Sequence, residues 1–463
     1  MSILSQNSEK ANENLGTVEH FLSRFHVGKL LRKCNANKEK GIPVMQIFRY
    51  MICNIFSDRS MYMQLKTGNF EESFSKNTFY RFLNMAKTNW LRFTTILSLA
   101  VVDFIRPLTS EDRADVFIFD DTLYSRSGYK KTELCSKVFD HVSMKFKTGY
   151  RLLTLSWSDG TSLVPINSAL LASSKEENVL GSVKKTDKRT LAGKRRVLAT
   201  EKATDVMIHL LETALNAGHK AKYVLFDTWF SNPAQILKIK DLGINTIAMV
   251  KNSSRIHYEY NGSSQSIRQI YNSCKKRRGR SRYLLSVEVS LKSKEDPSRT
   301  EPARIVCVRN RTNKKKWLAI LCTDMNLSEE EIIRIYGKRW DIEIFFKTCK
   351  TYLGLLSECH SLSYDALTAH VAIVFVRYML LSVAKRTDED QRTLGELFYY
   401  LVLEAEDITF CESMQIIIEA MIATVQEYFH LTEEQIEEFT ADFIEKLPPH
   451  MKNRLQKRAV QAA

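Results

Sequence analysis

The chain lacks the residue patterns that mark several common protein classes. Its nine cysteines are scattered and include no C-x-x-C pair, which argues against a zinc site and a disulfide framework and suits a reducing cytoplasm. The ten histidines show no paired metal-ligand spacing, and no glycine-rich loop that could hold ATP phosphates is present. We therefore expect no zinc, no disulfide bonds and no bound ATP.

The sequence also has no hydrophobic run long enough to span a membrane. The most apolar segment, residues 369–384, contains His370 and Arg377 and is shorter than the about 20 residues that a spanning helix needs. This segment predicts a buried helix. The first 16 residues contain no apolar core and do not resemble a signal peptide, so we expect a soluble, cytoplasmic protein without a membrane partner.

What the sequence has in excess is positive charge. The 463 residues carry 68 lysines and arginines against 53 aspartates and glutamates, a formal net charge of +15. A globular protein this basic most often binds a polyanion, and nucleic acid is the first candidate. An anionic membrane surface is the alternative, but no polybasic stretch adjoins an apolar anchor. The length allows two or three domains.

Residues 1–105 predict a helical domain that we expect to bind DNA. Within it, residues 75–90 offer Ser75 as a helix N-cap, followed by apolar residues at helical spacing. The other faces carry donors that base edges and phosphates accept, as in a recognition helix. The donors that we assign to DNA binding are Lys76, Asn77, Tyr80 and Arg81. The alternative is an ordinary solvated helix face.

Residues 106–360 predict a mixed α/β domain. It opens with three short apolar strands, at residues 115–120, 150–158 and 162–171. A helix, a strand, a helix and a strand follow, an order typical of a mixed sheet with helices packed on it. Residues from about 250 to 325 interrupt this alternation with further strands and predict a β-rich insertion. The remainder, 361–463, predicts a helical C-terminal region.

Two aspartates close apolar strands of the predicted sheet. Asp120 ends the strand at 115–120, and Asp227 ends the strand at 222–227. Either aspartate could simply cap the turn that follows it. Open α/β sheets, however, place their sites at the carboxyl ends of strands. Two such aspartates and a third carboxylate would give Mg²⁺ the hard oxygen ligands that it prefers.

The third carboxylate is Glu343, in a segment that predicts one long helix starting at a capping box on Ser328. At about 100° per residue, a stripe about 60° wide on this helix holds four polar residues. These are Tyr336, Arg339, Glu343 and Lys350. The apolar residues predicted to face the core are Trp340, Ile344 and Phe345. The stripe suits a partner with phosphates and a metal ion; the alternative is a surface ion pair between Arg339 and Glu343.

The four polar residues of this stripe have the spacing Y-x2-R-x3-E-x6-K, which resembles the signature of the family-four insertion-sequence transposases. The segment FDDT, residues 119–122, is similar to that family's first aspartate motif, and FDTWFSNP, residues 226–233, is similar to its second. The resemblance covers about 110–355 and includes a β-rich insertion before the last catalytic helix.

This resemblance implies a ribonuclease-H-like catalytic domain and a DDE-type, metal-dependent cut-and-paste DNA transposase. It implies that Mg²⁺, for which Mn²⁺ can substitute, is bound by three carboxylates: Asp120, Asp227 and Glu343. It also implies that phosphates beside the cut bond are held by Tyr336, Arg339 and Lys350. Double-stranded DNA would be cut at the element's terminal inverted repeats through a hairpin, and the freed 3′ end would then join target DNA.

The resemblance further implies a bacterial protein that acts in the cytoplasm on nucleoid DNA. It implies a homodimer in the DNA complex, with the C-terminal helices as the assembly surface. Two rival interpretations are a nuclease with the same triad that only cleaves, and a former transposase that binds DNA as a repressor. The intact phosphate-binding set argues against the first, and the intact triad argues against the second.

Finer features of the resemblance and the sequence give three more expectations. Asp120, rather than its neighbour Asp121, is taken as the ligand because it stands two residues before Thr122, as the family's aspartate does. Trp317 is predicted to stack on a base that hairpin formation exposes, with packing in its strand as the alternative, and Trp229 is predicted to lie in the core. DNA phosphates are expected to be neutralised by basic loops at residues 184–189, 193–196 and 275–280.

Overall fold

The computed structural model of the chain describes residues 16–387 and 432–446, apart from short gaps. The gaps are residues 57–59, 69, 71, 110–112, 141–142, 279–280, 294–298 and 311–315. Between 388 and 431 the structure describes only residues 394, 421, 424, 425, 428 and 429. Most of the C-terminal region that we predicted as an assembly surface therefore lies outside the described residues.

The N-terminal part of the chain is helical, as the sequence predicted. Its helices are α1 (Thr17–Arg24), α2 (Val27–Lys33), α3 (Val44–Cys53), α4 (Met61–Thr67), α5 (Lys76–Leu83) and α6 (Trp90–Ile105). Single 3₁₀ turns lie at Asn54–Phe56 and Arg106–Leu108. The predicted N-cap of α5 is confirmed, because the Ser75 hydroxyl accepts a hydrogen bond of 3.4 Å from the backbone N–H of Thr78.

One mixed sheet runs through the described part of the chain. Its first strands are β1 (Val116–Ser125), β2 (Ser136–Asp140), β3 (Lys145–Ser158), β4 (Leu163–Leu171), β5 (Tyr223–Phe226) and β6 (Asn245–Met249). Strands β1, β5 and β6 are parallel neighbours, whereas β3 is antiparallel to β1 and carries β2 and β4 on its other edge. This confirms the predicted mixed α/β fold with a ribonuclease-H-like core.

The predicted β-rich segment continues this sheet. Its strands are β7 (His257–Tyr260), β8 (Ser263–Ser266), β9 (Leu285–Lys292), β10 (Thr300–Arg309) and β11 (Trp317–Cys322), with helix α10 (Ile267–Ser273) after β8. Strand β11 pairs antiparallel with β6, with Ile320 opposite Met249. The strand order from one edge is β2-β3-β1-β5-β6-β11-β10-β9-β7-β8, so this segment extends the central sheet.

The remaining helices pack on the sheet or follow it. They are α7 (Leu191–Thr200), α8 (Ala203–Asn216), α9 (Pro233–Asp241), α11 (Glu329–Gly337), α12 (Trp340–Thr351), α13 (Tyr364–Thr387) and α14 (Glu433–Lys446). The single long helix predicted from Ser328 is wrong. The Ser328 hydroxyl does accept the backbone N–H of Glu331 at 3.3 Å, but the helix that it starts ends at Gly337 and a second begins at Trp340.

The break between α11 and α12 is a tight turn anchored to the sheet. The backbone N–H of Arg339 donates to the Tyr336 carbonyl at 3.0 Å, an i to i−3 bond in place of the α-helical one. The ammonium group of Lys338 reaches away from the helix and donates to the carbonyls of Ala114 at 2.6 Å and Asp159 at 3.0 Å. These tertiary bonds tie the turn to the two chain segments that flank β1 and β3.

Helix α13 contains the apolar segment that we predicted to be buried, and this prediction is confirmed. Our prediction that the segment is too short to span a membrane is wrong, because the helix has 24 residues and could cross one by length and composition. However, 94% of its most apolar window is buried inside the protein. Arg377 is fully buried in its middle and donates to the Leu353 carbonyl at 3.1 Å and to the Glu358 carboxylate at 2.9 Å. The charge inside this apolar helix is thus paired.

The prediction that residues 193–196 form a basic loop that contacts DNA is wrong. These residues belong to α7, and the side chains of Arg195 and Arg196 are only 12% and 10% exposed. Both arginines pair with Asp365 at the start of α13, and Arg196 also pairs with Glu133 at 2.8 Å. Local composition predicted a DNA contact, whereas two carboxylates distant in sequence bring these charges into a buried cluster. Residues 184–189 are exposed.

Candidate active site

The two parallel strands β1 and β5 separate beside Asp120 and Asp227. Strand β1 pairs with β5 only from Val116 to Ile118, and then continues to Ser125 along β3 alone. Strand β5 ends immediately before Asp227. Our reading of Asp120 as the last residue of its strand is therefore wrong, but the aspartate does lie where the neighbouring strand has diverged. Such a divergence leaves a crevice at the carboxyl ends of neighbouring strands in an open sheet.

Asp120 and Asp121 are adjacent on β1 and therefore point to opposite faces of the sheet. Asp121 is held by the guanidinium of Arg151, whose Nε lies 2.7 Å from Asp121 Oδ2. Asp120 Oδ2 lies instead 3.3 Å from Nη1 of Arg339, in the turn between α11 and α12. Of the two aspartates, Asp120 is thus the one that faces the segment carrying Glu343.

Two of the four signature residues bond to the strands that carry the aspartates. The Tyr336 hydroxyl donates to the carbonyl of Phe226, the last residue of β5, at 3.4 Å. The ammonium group of Lys350 donates to the Thr122 hydroxyl on β1 at 2.5 Å. The four residues do not share one straight helix. They nevertheless lie beside the point where β1 and β5 separate, near the carboxyl ends of these strands.

Arg339 joins the first and third predicted ligands. Its Nη1 lies 3.3 Å from Asp120 Oδ2, and its Nη2 contacts Glu343 Oε1 four residues further along the chain. The side chains are 15% exposed for Arg339, 17% for Asp120 and 35% for Glu343. The ion pair between Arg339 and Glu343, which we considered as an alternative surface feature, is therefore largely buried and extends to Asp120 on β1.

Burial makes negative charge costly at Asp120 and Asp227. It raises the pKa of Asp120 to about 7; Asp121 and Asp227 add to this shift and Arg339 opposes it. Burial also raises the pKa of Asp227, partly offset by the Trp229 backbone N–H, which donates to Asp227 Oδ1 at 2.9 Å. Groups with such shifts in a crevice are candidates for a functional site.

The donor set fits a divalent cation, although its ligands are not yet gathered around one. Among the described residues, no three His, Cys, Asp or Glu side chains are placed to hold a metal ion as they stand. A positive group nevertheless already stands between two of the carboxylates, because the Arg339 guanidinium bridges Asp120 and Glu343. Carboxylate oxygens are also the ligands that Mg²⁺ prefers. Asp120, Asp227 and Glu343 would hold the ion.

Trp317 and Trp229, the two tryptophans for which we made predictions, lie in different surroundings. The ring of Trp317 stacks on that of Tyr271, with centroids 4.2 Å apart and planes at 14°, which is the packing alternative. The prediction that Trp229 lies in the core is wrong: it is 44% exposed, two residues beyond Asp227. The Arg151 guanidinium lies 4.8 Å from its ring centroid, so an indole and a cation meet beside the carboxylates.

The outward face of α12 also differs from the prediction. Phe345 is fully buried as expected, but Trp340 is 59% exposed and Ile344 is 47% exposed. The predicted angles ran through one continuous helix from Tyr336. The tight turn changes the rotation per residue, and the face of α12 that includes Ile342 and Phe345 packs inward instead.

The predicted DNA-reading residues lie on another surface, on α5. This helix packs on α3 and α13 through its apolar face, and Lys76, Asn77, Tyr80 and Arg81 are all exposed. Asn77, Tyr80, Arg81 and Asn84 line one shallow, open surface on this helix. The α5 surface therefore presents donors to solvent, as both a recognition helix and an ordinary solvated helix would.

Two residues that shape the site were not predicted from the sequence. Arg151 on β3 bonds to Asp121 and lies beside the ring of Trp229, and Lys338 anchors the helix break. Arg151 sits opposite Leu123 in the β1–β3 register, a pairing that only the assembled sheet defines. Neither residue belongs to a motif, so only tertiary contacts reveal them.

Fold and site together define a ribonuclease-H-like domain with acidic residues where its parallel strands β1 and β5 separate. The family model described as DDE superfamily endonuclease matches residues 53–315, more than half of the chain. The chain therefore belongs to the DDE superfamily endonuclease family, whose substrate is DNA and whose members typically use divalent metal ions. The matched part includes Asp120 and Asp227 and ends before Glu343. No curated protein matches the chain.

Proposed function

We propose that this chain is a cut-and-paste DNA transposase related to the family-four insertion-sequence transposases. The observation that supports this proposal best is that β1, β5 and α12 meet at the carboxyl ends of the parallel strands. Asp120 and Asp227 lie where β1 and β5 separate, and Arg339 links Asp120 to Glu343 on α12. The carboxylates follow the order D, D, E along the chain, in the strand and helix contexts that this chemistry uses.

The proposed reaction is phosphodiester cleavage followed by strand transfer, with a hairpin between them. Bound Mg²⁺, or Mn²⁺ in its place, would activate a water or a 3′-hydroxyl and stabilise the leaving oxygen. Asp120, Asp227 and Glu343 provide the carboxylates. Phosphates of the cut strand are proposed to be bound by Tyr336, Arg339 and Lys350. In the DNA-free protein these side chains bond to protein oxygens, which phosphate oxygens can replace.

The proposed DNA surface extends beyond the carboxylates. The net charge of +15 and the exposed basic segment at 184–189 favour contact with a polyanion, and α5 is proposed to read DNA through Lys76, Asn77, Tyr80 and Arg81. The natural substrate would be the terminal inverted repeats of the element and a target duplex. A homodimer that acts on bacterial DNA in the cytoplasm completes the proposal.

Cleavage of a labelled duplex that carries the element's own end tests this function. We expect nicking with Mg²⁺ or Mn²⁺, followed by a hairpin product on a denaturing gel. Both products should be absent with EDTA and absent for Glu343→Gln, because this substitution keeps the shape of the side chain but removes the negative charge. Cleavage without a hairpin or joined product would instead identify a nuclease. Tight DNA binding without cleavage under any metal would identify a repressor.

Trp229 is proposed to stack on an unpaired base beside the cut, because its ring is exposed and near cations. We expect Trp229→Ala to weaken binding to a duplex with unpaired terminal nucleotides by about 1–3 kcal/mol, and Trp229→Phe to retain most of the affinity. Fluorescence anisotropy with a labelled duplex measures this change. Trp317→Ala is the matched control and should affect affinity less, because Trp317 already stacks on Tyr271. A larger loss for Trp317→Ala in a folded protein would reassign the base to Trp317.

A further inference from the structure

Arg339 stands where a cation is needed between two of the proposed metal ligands. One side of its guanidinium meets Asp120 and the other side meets Glu343. The arginine and the aspartate are each more than four-fifths buried, and Glu343 is about one-third exposed. Glu343 and Asp120 belong to different elements, α12 and β1, so the guanidinium also fixes the helix against the sheet.

We propose that Arg339 is an exchangeable counter-ion that holds Asp120 and Glu343 in the DNA-free protein and transfers to a DNA phosphate on binding, which frees both carboxylates for the divalent metal ion. The proposal rests on the proposed function, because it takes Asp120 and Glu343 as metal ligands and DNA as the substrate. It assigns Arg339 a role in the order of assembly in addition to its predicted contact with phosphate.

The exchange follows from the cost of buried charge. Negative charge on a largely buried carboxylate is strongly disfavoured without a positive partner, and Arg339 provides this partner for Asp120 and Glu343. The carboxylate oxygens that bond to this guanidinium cannot at the same time surround a metal ion, and two cations in one small space repel each other. A metal ion that enters the DNA-free protein must therefore displace Arg339 and leave its guanidinium without a partner.

A DNA phosphate removes this penalty. Phosphate oxygens match the two-pronged geometry of a guanidinium as well as a carboxylate does. Arg339 lies in the turn between two helices, and the next residue, Trp340, is 59% exposed, so the turn borders the solvent from which DNA arrives. When Arg339 bonds to a phosphate, Asp120 and Glu343 lose their counter-ion and gain affinity for a divalent cation.

Metal binding and DNA binding are therefore predicted to be coupled. If DNA raises the affinity for the metal, the metal must raise the affinity for DNA by the same factor. The DNA-free protein would bind a divalent ion weakly, which would restrict phosphodiester cleavage to the complex with correctly placed DNA.

The experiment measures Mn²⁺ binding to the full chain from the electron paramagnetic resonance signal of free Mn²⁺. Without DNA, we expect Arg339→Ala to bind Mn²⁺ on the order of tenfold more tightly than the wild type. The Mn²⁺ affinity of Arg339→Lys should lie between those of the wild type and Arg339→Ala. A lysine keeps the positive charge but lacks the two-pronged guanidinium that contacts both carboxylates. For the wild-type protein, a duplex carrying the element's end should raise Mn²⁺ affinity on the order of tenfold, and Arg339→Ala should lose this gain.

The outcomes separate the counter-ion proposal from the proposed function. Asp120→Asn and Glu343→Gln should both weaken Mn²⁺ binding in the presence of DNA. If they do, but Arg339→Ala binds Mn²⁺ no better than the wild type and DNA does not change wild-type affinity, the counter-ion proposal is wrong and the metal site stands. If neither substitution weakens Mn²⁺ binding, the proposed metal site itself is wrong. The Mn²⁺ affinity of the wild-type protein with and without DNA tests whether metal binding and DNA binding are coupled, even if the Arg339 variants fail to fold.

Discussion

Asp120→Asn is expected to abolish strand cleavage, whereas Asp121→Asn is expected to lower the cleavage rate far less. The two substitutions are chemically identical and lie on adjacent residues, but their side chains have different partners. Asp120 faces Arg339 and the α11–α12 turn, while Asp121 is held on the other face by Arg151. Removal of one hydrogen-bond donor that stabilises charge in a transition state typically costs about 10²–10³-fold in rate, and we expect at least this loss when Asp120→Asn removes a proposed metal ligand.

The measurement is the initial rate of nicking on the element-end duplex at saturating Mg²⁺. Asp121→Asn serves as the matched control, because it removes the same charge without removing a proposed ligand, and we expect its rate to stay within about tenfold of the wild type. The circular dichroism spectra of both variants establish that they are folded. An inactive Asp121→Asn beside an active Asp120→Asn would reverse the assignment of the first metal ligand.

Glu358→Gln is expected to cause the largest loss of stability among the conservative substitutions considered. Glu358 accepts hydrogen bonds from Arg377 at 2.9 Å and Asn54 at 3.1 Å, and it lies 3.3 Å from His370. Arg377 is fully buried, so a neutral partner leaves its charge uncompensated inside the protein. Breaking a buried pair in this way typically costs about 3–5 kcal/mol of unfolding free energy.

Urea denaturation of the variant and the wild-type protein at neutral pH measures this loss. Asp205→Asn removes one partner of the half-exposed pair between Lys238 and Asp205 and is the control, with an expected loss of less than about 1 kcal/mol. A loss for Glu358→Gln as small as that of the control would show that Arg377 is satisfied by the backbone carbonyls that it also contacts.

The pH dependence of the same comparison follows from the pKa of Glu358. Burial tends to raise this pKa, but Arg377 and His370 outweigh burial and hold it well below its ordinary value. A carboxyl group with a lowered pKa stabilises the folded state above its unfolded pKa, and this contribution is lost as the pH falls. The stability difference between wild type and Glu358→Gln should therefore be constant above about pH 5 and narrow below about pH 4. A constant difference down to pH 3 would contradict the ion-pair explanation.

Local patterns in the sequence determined the elements of this fold. The N-caps at Ser75 and Ser328 and the alternation of apolar strands with helices around Asp227 predicted real elements and the mixed sheet. They succeeded because caps and periodicity act within a few residues. The motif spacing likewise selected Tyr336, Arg339, Glu343 and Lys350, because spacing is a property of the chain itself.

The tertiary structure alone decided how those residues meet. Helix α11 ends at Gly337, and a glycine is a local sign that a helix can end. The carbonyls of Ala114 and Asp159 that anchor Lys338 in the break lie far away in the sequence, and the break reversed the expected burial of Trp340 and Ile344. The sequence predicted that Arg195 and Arg196 contact DNA. In the fold both arginines pair with Asp365, and Arg196 also pairs with Glu133, so both side chains are largely buried.

The same holds for the centre of the site. The sequence by itself determined that Asp120, Asp227 and Glu343 occur in this order, on a strand, directly after a strand and on a helix. Only the folded chain placed the Arg339 guanidinium between Asp120 and Glu343. The physical reason is that a side chain's partner depends on which distant segments pack around it, and the free energy of a buried charge is settled by those contacts rather than by its neighbours in sequence.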